Sequence, residues 1–244
     1  MIRIENVNKK FRKLQALRHI TVTLRKGQVV SLIGPNASGK TTLIKCILGM
    51  VRPDSGLIYV NEKLIDANPG YRSDIGYMPQ IGRYPDNMKT GQLFEMMKKF
   101  RNSDNQDMDL FHGFGLGRIL EKPMRTLSGG TRQKVSAALA FMFNPGILIL
   151  DEPTAGLDPL SSEILKEKIA SENKKNKLIL ITSHILSDLE ELSTHVMYLQ
   201  EGNILFLKEL DMLREETGEL KLAKAMAKVM KGQGLAEQES HHRE

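Results

Sequence analysis

The stretch Gly34-Pro35-Asn36-Ala37-Ser38-Gly39-Lys40-Thr41 decides the fold of this chain. Two glycines separated by four residues and followed by Lys and Thr form the P-loop pattern. An apolar run at 29–33 precedes the stretch, and apolar residues with helical spacing follow it at 43–48. The order is therefore strand, glycine-rich loop and helix, in which loop amides and the helix N-terminus can converge on phosphate oxygens. This context favours a nucleoside triphosphate site over an ordinary glycine-rich turn.

The loop also assigns roles to its side chains. Lys40 is expected to reach the β- and γ-phosphates, and the Thr41 hydroxyl is expected to bind Mg²⁺. A side chain at position 39 would obstruct the approach of the phosphates. The predicted nucleotide-binding residues of this segment are Gly34, Pro35, Asn36, Ala37, Ser38, Gly39, Lys40, Thr41 and Thr42.

Strand-like runs recur around the loop and predict an α/β fold with a mostly parallel sheet. They lie at 20–24, 29–33, 57–60, 147–150, 178–182 and 196–199, with helical segments between several of them. Residues 82–143 read as an inserted helical lobe, since apolar residues there fall at helical spacing. The Lys-, Ala- and Met-rich segment 218–244 is expected to be a polar helical tail with a mobile end.

The composition indicates one globular unit and no membrane span of its own. The chain has 244 residues, of which 41% are hydrophobic and 26% charged, close to the average for soluble proteins. No apolar run approaches the roughly 20 residues that a spanning helix needs, and no signal peptide is expected at the start. Cys46 is the only cysteine, so an intrachain disulfide is excluded and a reducing compartment fits.

The net charge of +6 does not by itself select a partner. A nucleic acid, an acidic membrane face and a phosphorylated ligand are all compatible with it. The densest basic run, 9–13, is interpreted as a solvated turn beside a strand, and no nucleic acid partner is expected.

A second motif, Ile147-Leu148-Ile149-Leu150-Asp151-Glu152, is an apolar strand that ends in two carboxylates. Asp151 lies where ligands bind in such sheets, and we expect it to contribute to a Mg²⁺ shell. Glu152 is placed to polarise a water molecule for attack on the γ-phosphate. An acidic pair after a strand is often only a turn, so the motif gains its meaning from the P-loop.

Many nucleotide-binding families share a P-loop, among them GTPases, kinases, helicases and transport ATPases. A GTPase would need an Asn-Lys-x-Asp base-reading motif late in the chain. The Asn-Lys pairs here stand in 173–176 and 176–179, and neither has the Asp. The GTPase alternative is therefore disfavoured.

A third motif, Leu127-Ser128-Gly129-Gly130-Thr131-Arg132-Gln133-Lys134, resembles the signature sequence of the ATP-binding cassette (ABC) family. A Ser and two glycines at the start of a helix offer a hydroxyl and unshielded amides to an anion. A plain helix cap is the alternative, and it would be preferred if the P-loop were absent. The resemblance extends over about residues 2–208.

The resemblance implies further site residues. Gln80 resembles the family's lid glutamine, which contacts Mg²⁺ or the attacking water. His184 resembles the switch histidine that contacts the γ-phosphate, and Asp158 closes the loop through which two protomers communicate. Phe11 lies 29 residues before Lys40, where the family places an aromatic ring that stacks on adenine.

Two positions depart from the family pattern. Thr131 stands where the signature usually has Gln, and Phe11 stands where the adenine-stacking residue is usually Tyr. Stacking needs only the face of the ring. Nucleotide binding is therefore expected to persist with Phe11. Thr131 leaves Ser128, Gly129 and Gly130 intact, so activity is expected to survive that departure as well.

In function, the resemblance implies a Mg²⁺-dependent ATPase subunit of a transporter, with an N-terminal antiparallel β-subdomain. Two copies are expected to enclose ATP head to tail, the P-loop of one facing the signature of the other. The pair would drive a separate membrane permease from the cytoplasmic face of the membrane. Residues 1–217 form the expected ATPase domain.

Some alternatives remain open from sequence. They are a non-transport cassette ATPase of translation or repair, which usually has tandem cassettes or a long coiled coil, and a regulatory nucleotide-binding subunit. Within transport, the compact chain resembles the ATPases of exporter-like systems. It also resembles the ATPase of the accessory transporter for maturation of copper-containing nitrous oxide reductase.

Overall fold

Ten strands and eight helices make up the part of the chain that the computed structural model describes, residues 1–65, 69–101 and 106–241, with side chains as far as 231. The strands are β1 (Ile2–Phe11), β2 (Leu14–Leu24), β3 (Val29–Ile33), β4 (Ser55–Val60), β5 (Lys63–Leu64), β6 (Ile75–Met78), β7 (Ile147–Asp151), β8 (Leu178–Thr182), β9 (His195–Gln200) and β10 (Asn203–Glu209). The helices are α1 (Lys40–Ile47), α2 (Thr90–Arg101), α3 (Asp109–Gly113), α4 (Gly129–Phe141), α5 (Pro159–Lys174), α6 (Leu186–Leu192), α7 (Leu210–Thr217) and α8 (Leu222–His241). The predicted α/β class is confirmed.

The larger sheet has six strands in the order β10-β9-β3-β8-β7-β6. Five of them are parallel, and β10 runs antiparallel to β9 at the edge. Every residue of β7 and β8 is buried, as expected for parallel strands covered on both faces. The carboxyl ends of β3, β7 and β8 meet at one edge of this sheet, and the functional loops follow them.

The smaller sheet is antiparallel, in the order β2-β1-β4-β5, which confirms the predicted N-terminal β-subdomain. A hydrophobic cluster fills the space between the two sheets, and α1 contributes Leu43, Ile44, Cys46 and Ile47 to it. Burial raises the pKa of the Cys46 thiol to about 11. The thiol is therefore protonated at neutral pH and packs as an apolar group.

The helical lobe lies between β6 and β7 and contains α2, α3 and α4. The rings of Phe94 and Phe111 meet edge to face at 5.2 Å in its core. Residues 102–105 of the predicted lobe lie outside the described residues.

An ion cluster joins this lobe to α5. Lys168 Nζ lies 2.5 Å from Asp107 Oδ2, 2.7 Å from Asp109 Oδ2 and 3.1 Å from Glu172 Oε1. Glu172, fully buried, also pairs with Lys175 and Lys177. We refer to these six residues as the Glu172 cluster.

The C-terminal segment forms two helices on the core. Gly218, in a left-handed conformation (φ 68°), ends α7. Leu222, Ala225 and Met226 at the start of α8 are buried. The expected mobile end of the tail lies outside the described side chains, and the boundary at 217 stays a prediction. Within the described ranges, no helix is long and apolar enough to cross a membrane.

Candidate nucleotide-binding site

A cavity of about 460 Å³ opens at the carboxyl edge of the parallel sheet. It brings together most of the predicted site: Phe11, Asn36, Ala37, Ser38, Gly39, Lys40, Thr41, Thr42, Gln80, Asp151, Glu152 and His184. Sequence reasoning missed three further lining residues, Leu14, Ala16 and Thr182. Six predicted residues are not among its lining residues: Gly34, Pro35, Ser128, Gly129, Gly130 and Asp158. Gly34 and Pro35 belong to the P-loop, and their carbonyl groups accept hydrogen bonds from Lys40.

The loop that lines the cavity requires glycine at two positions. A Cβ atom at Gly34 would collide with the backbone carbonyl oxygen of Leu199. Gly39 has φ 109°, and a Cβ there would collide with the carbonyl oxygen of Ala16. Tight packing against β9 and β2 therefore fixes the loop, and only residues without a side chain permit it.

Lys40 folds back over this loop. Its Nζ donates to the carbonyl oxygens of Gly34 at 2.7 Å and of Pro35 at 2.9 Å. Burial lowers the pKa of Lys40, while Asp151 and Glu152 act in the opposite direction. The ammonium group therefore lies over the loop in the same cavity as both carboxylates.

The P-loop and the start of α1 offer hydrogen-bond donors that suit an anion. Among the described residues, no side chain caps the N-terminus of α1, and the first turn of this helix has no acidic residue. The Ser38 hydroxyl, 2% exposed as a residue, has no hydrogen-bond partner among the described residues. A buried polar atom without a partner is costly, and phosphate oxygens would satisfy it together with the free amides of the helix start.

Asp151 and Thr182 form the floor of the cavity at the ends of β7 and β8. The Thr182 hydroxyl donates to Asp151 Oδ1 at 2.5 Å, and the Glu152 amide donates to the Thr182 carbonyl at 3.0 Å. Asp151 shares the cavity with the Thr41 hydroxyl and the Gln80 amide, and these are oxygen ligands of the kind that Mg²⁺ prefers. The described residues hold no group of three or more His, Cys, Asp or Glu suited to a metal. An ion there would therefore need phosphate and water oxygens as well.

Glu152 is held in an unusual backbone conformation. Its φ is 53°, in the left-handed region that costs a non-glycine residue about 1 kcal/mol or more. The His184 amide donates to Glu152 Oε2 at 3.2 Å, and His184 Nε2 lies 3.3 Å from Oε1. From α4, the Gln133 side chain donates to the Glu152 carbonyl at 3.2 Å. These contacts offset the strain and point a nearly buried carboxylate into the cavity.

The signature segment lies on another surface. Ser128 and Gly129 are exposed, and a Cβ at Gly129 would meet no atom within 4 Å. Gly130 packs on the loop that ends in Asp158, since a Cβ there would lie 2.5 Å from the Gly156 carbonyl oxygen. The two segments predicted to meet a second protomer are therefore adjacent.

Asp158 is fixed to the signature helix. Its Oδ2 accepts from Lys134 Nζ at 2.6 Å, and its Oδ1 accepts from the Ser161 amide at 2.9 Å. The hydrogen bond from Lys134, followed by those from Ser161, holds the pKa of Asp158 well below its usual range. The Asp158 carboxylate thus caps α5 and links it to α4.

Comparison with known proteins agrees with this geometry. The profile of the family described as ABC transporter matches residues 17–155, which includes the P-loop, the signature and Glu152. The chain belongs to the ABC transporter family. It is 34% identical over 215 residues to the lantibiotic transport ATP-binding protein SrtF of Streptococcus pyogenes, covering 86% of this chain and 92% of that protein.

Solved structures of the same kind share the fold. An ATP-binding subunit of an ABC transporter superposes with a TM-score of 0.87 at 27% identity, covering 95% of this chain and 98% of that one. A dimeric ATP-binding cassette in a post-hydrolysis state, with ADP and phosphate bound, gives a TM-score of 0.74 at 22% identity over 86% of this chain and 99% of its own. This ABC protein is accordingly an ATP-binding subunit of a transporter and an ATPase.

Proposed function

We propose that this ABC ATPase hydrolyses ATP with Mg²⁺ as a head-to-tail dimer and that hydrolysis drives a separate membrane permease at the inner face of the cell membrane. The observation that carries the proposal is that the P-loop and the signature lie apart within one chain. The cavity holds the P-loop and the carboxylates, whereas Ser128 and Gly129 are exposed outside its lining. If the signature contacts the nucleotide, as the family resemblance implies, the contact must come from the signature of another copy.

In the proposed reaction, Glu152 orients a water molecule and accepts its proton as the water oxygen attacks the γ-phosphorus. The bond from that phosphorus to the β–γ bridging oxygen breaks, and ADP and inorganic phosphate leave. Lys40 and His184 offset negative charge on the γ-phosphate, and phosphoryl transfer depends on such charge stabilisation. Thr41, Asp151 and Gln80 would hold Mg²⁺, which neutralises phosphate charge when bound. These side chains all line the same cavity.

At the other end of the cavity, Phe11 and Leu14 would contact the base. Both side chains are exposed, Phe11 at 45% and Leu14 at 59%, and Lys9 Nζ lies 5.3 Å from the centre of the Phe11 ring. A flat aromatic face beside an aliphatic side chain suits stacking. We propose that adenine binds there.

Hydrolysis is tested with Glu152→Gln, which keeps the shape of the side chain and removes the base. ATP turnover with the permease present should fall at least about 100-fold, while ATP binding should persist. Glu121→Gln, an exposed carboxylate paired with Lys89 on the helical lobe, serves as the matched control. Turnover by Glu152→Gln equal to wild type would refute the assignment.

Permease docking is proposed on the outer face of α2 and the segment after Gln80. Ile81 and Phe100 are 68% and 77% exposed, and an open groove of about 540 Å³ lies along Gln92, Met96 and Phe100. Exposed large apolar side chains next to a groove are typical of an interface.

Docking is tested by co-purification of the permease. Phe100→Glu should abolish the complex with the permease. ATP binding should stay intact, because Phe100 is not among the residues that line the nucleotide cavity. Leu220→Glu, at a residue that is 82% exposed between α7 and α8, should leave the complex intact. A complex that survives Phe100→Glu places the permease elsewhere.

We expect the permease to select the transported substrate. Lantibiotic transport is named for the relative SrtF, and export is the direction that the sequence resemblance favours. The resemblance to the nitrous oxide reductase system stays a prediction.

A further inference from the structure

The first turn of α4 contains a hydrogen bond between two hydroxyl groups. Ser128 is the N-cap, and its Oγ accepts from the backbone N–H of Thr131 at 3.2 Å. The Thr131 Oγ1 also lies 2.8 Å from Ser128 Oγ. The exposed serine of the signature thus has two contacts with the same residue, one through the backbone and one through the side chain.

Threonine at this position changes the usual pattern of a helix start. Thr131 is the third residue of α4, where Glu or Gln completes a capping box by reaching back to the backbone N–H of the N-cap residue. The shorter threonine hydroxyl contacts the N-cap hydroxyl in this chain. No other partner of Thr131 Oγ1 occurs in the portion of the chain described. The pair of hydroxyl groups is therefore a local unit.

The number of hydrogen bonds that the Ser128 hydroxyl can donate and accept determines where its hydrogen points. A serine hydroxyl has one hydrogen to donate and two positions that accept. The Thr131 N–H fills one acceptor position. If the Thr131 hydroxyl donates as well, both acceptor positions are filled, and the single Ser128 hydrogen is left to point outwards. Ser128 then presents only a donor, which matches an anion.

We propose that Thr131 is a positioning residue that directs the Ser128 hydroxyl hydrogen onto a γ-phosphate oxygen of the ATP bound by the partner subunit. The proposal rests on the head-to-tail dimer proposed above. Thr131 itself touches no phosphate and acts through Ser128. The Thr131 hydroxyl would donate to the Ser128 hydroxyl, which would donate to the phosphate. Such consecutive hydrogen bonds are cooperative, because each donor polarises the next.

The test measures ATP-dependent dimerisation by size exclusion with light scattering, with Mg²⁺ present and in the Glu152→Gln chain, where bound ATP persists. Thr131→Val keeps the β-branched shape and the capping N–H but lacks the hydroxyl. It should raise the ATP concentration for half-maximal dimerisation about fivefold, as expected for the loss of one hydrogen bond. Thr131→Ser restores the hydroxyl and should stay within about twofold of the parent. Thr131→Ala is a second hydroxyl-free variant, and thermal unfolding checks that each variant folds.

A double-mutant cycle separates positioning from a structural role. Ser128→Ala alone should weaken dimerisation at least as much as Thr131→Val. In the Ser128→Ala chain, adding Thr131→Val should have no further effect, since its target hydroxyl is absent. Equal losses from Thr131→Val with and without Ser128 would refute positioning through that serine.

The outcomes also distinguish the two proposals. If Ser128→Ala weakens dimerisation but Thr131→Val and Thr131→Ala do not, the role of Thr131 is wrong and the sandwich dimer stands. If the parent stays monomeric with ATP, or Ser128→Ala dimerises as the parent does, the head-to-tail contact is wrong and the role of Thr131 falls with it.

Discussion

Neutralising Glu172 should destabilise the fold, and the effect should depend on pH in a defined direction. Burial raises the pKa of this carboxyl, but hydrogen bonds from Lys175, Lys177 and Lys168 outweigh burial and lower it from 4.5 to about 2. Glu172 Oε1 lies 2.7 Å from Lys175 Nζ and 3.1 Å from Lys168 Nζ. Because one pKa unit corresponds to about 1.4 kcal/mol, the ionised form contributes about 3 kcal/mol at pH 7.

The sign follows from the two pKa values of Glu172. The folded value lies below the unfolded one, so the contribution is fully present above the unfolded pKa and is lost as the pH falls through the folded pKa. At pH 3 about 1 kcal/mol should remain. Glu172→Gln should therefore lower the free energy of unfolding by about 3 kcal/mol at pH 7 and by much less at pH 3.

The assay is denaturant unfolding of the isolated chain, followed by circular dichroism at several pH values. Glu163→Gln is the matched control on the same helix. Glu163 Oε1 pairs with Lys166 Nζ at 3.2 Å, but its side chain is 60% exposed, so the change should cost about 0–1 kcal/mol. A loss at Glu172 no larger than the control, or one that does not shrink between pH 7 and pH 3, would refute the reasoning.

Four further outcomes are expected. Phe11→Ala should raise the dissociation constant for ATP about tenfold, by the loss of about 1–2 kcal/mol of stacking, whereas Phe11→Tyr should not; calorimetry measures both. Gly130→Ala should lower ATPase activity more than Gly129→Ala, because a Cβ at 130 would lie 2.5 Å from the Gly156 carbonyl oxygen and one at 129 would be free; equal rates would contradict this packing. Chelation of Mg²⁺ should abolish turnover, and Lys40→Met should weaken ATP binding whether or not Mg²⁺ is present, as titration with a fluorescent ATP analogue would show.

Local motifs made much of the cavity predictable. The P-loop is recognisable from its glycine spacing alone, although the close contacts that require Gly34 and Gly39 become visible only in the fold. The strand β7 and its terminal Asp151 follow from an apolar run that ends in a carboxylate. These signals lie within a few consecutive residues, and they need no knowledge of tertiary contacts.

Residues whose roles depend on distant partners were not predictable. Thr182 ends an apolar strand, and only the pairing of β7 with β8 places its hydroxyl against Asp151. In the sequence, Gln133 looks like part of an exposed helix start. In the structure, the packing of α4 leaves this residue only 5% exposed. The edge strand β10 was also missed. It contains four consecutive apolar residues at 204–207, but none of its residues is fully buried.

The contacts of α4 connect the two functional surfaces of the chain. Ser128 stands at the exposed start of this helix, and Gln133, five residues later, donates to the Glu152 carbonyl. Glu152 is in a left-handed conformation, so its carboxylate direction depends on the contacts that oppose the strain. If Ser128 binds the partner's nucleotide as proposed, a shift of α4 on binding would change the Gln133 contact or move Glu152 with it. Under that proposal, α4 links occupancy of the signature to the direction of the Glu152 carboxylate in the same chain.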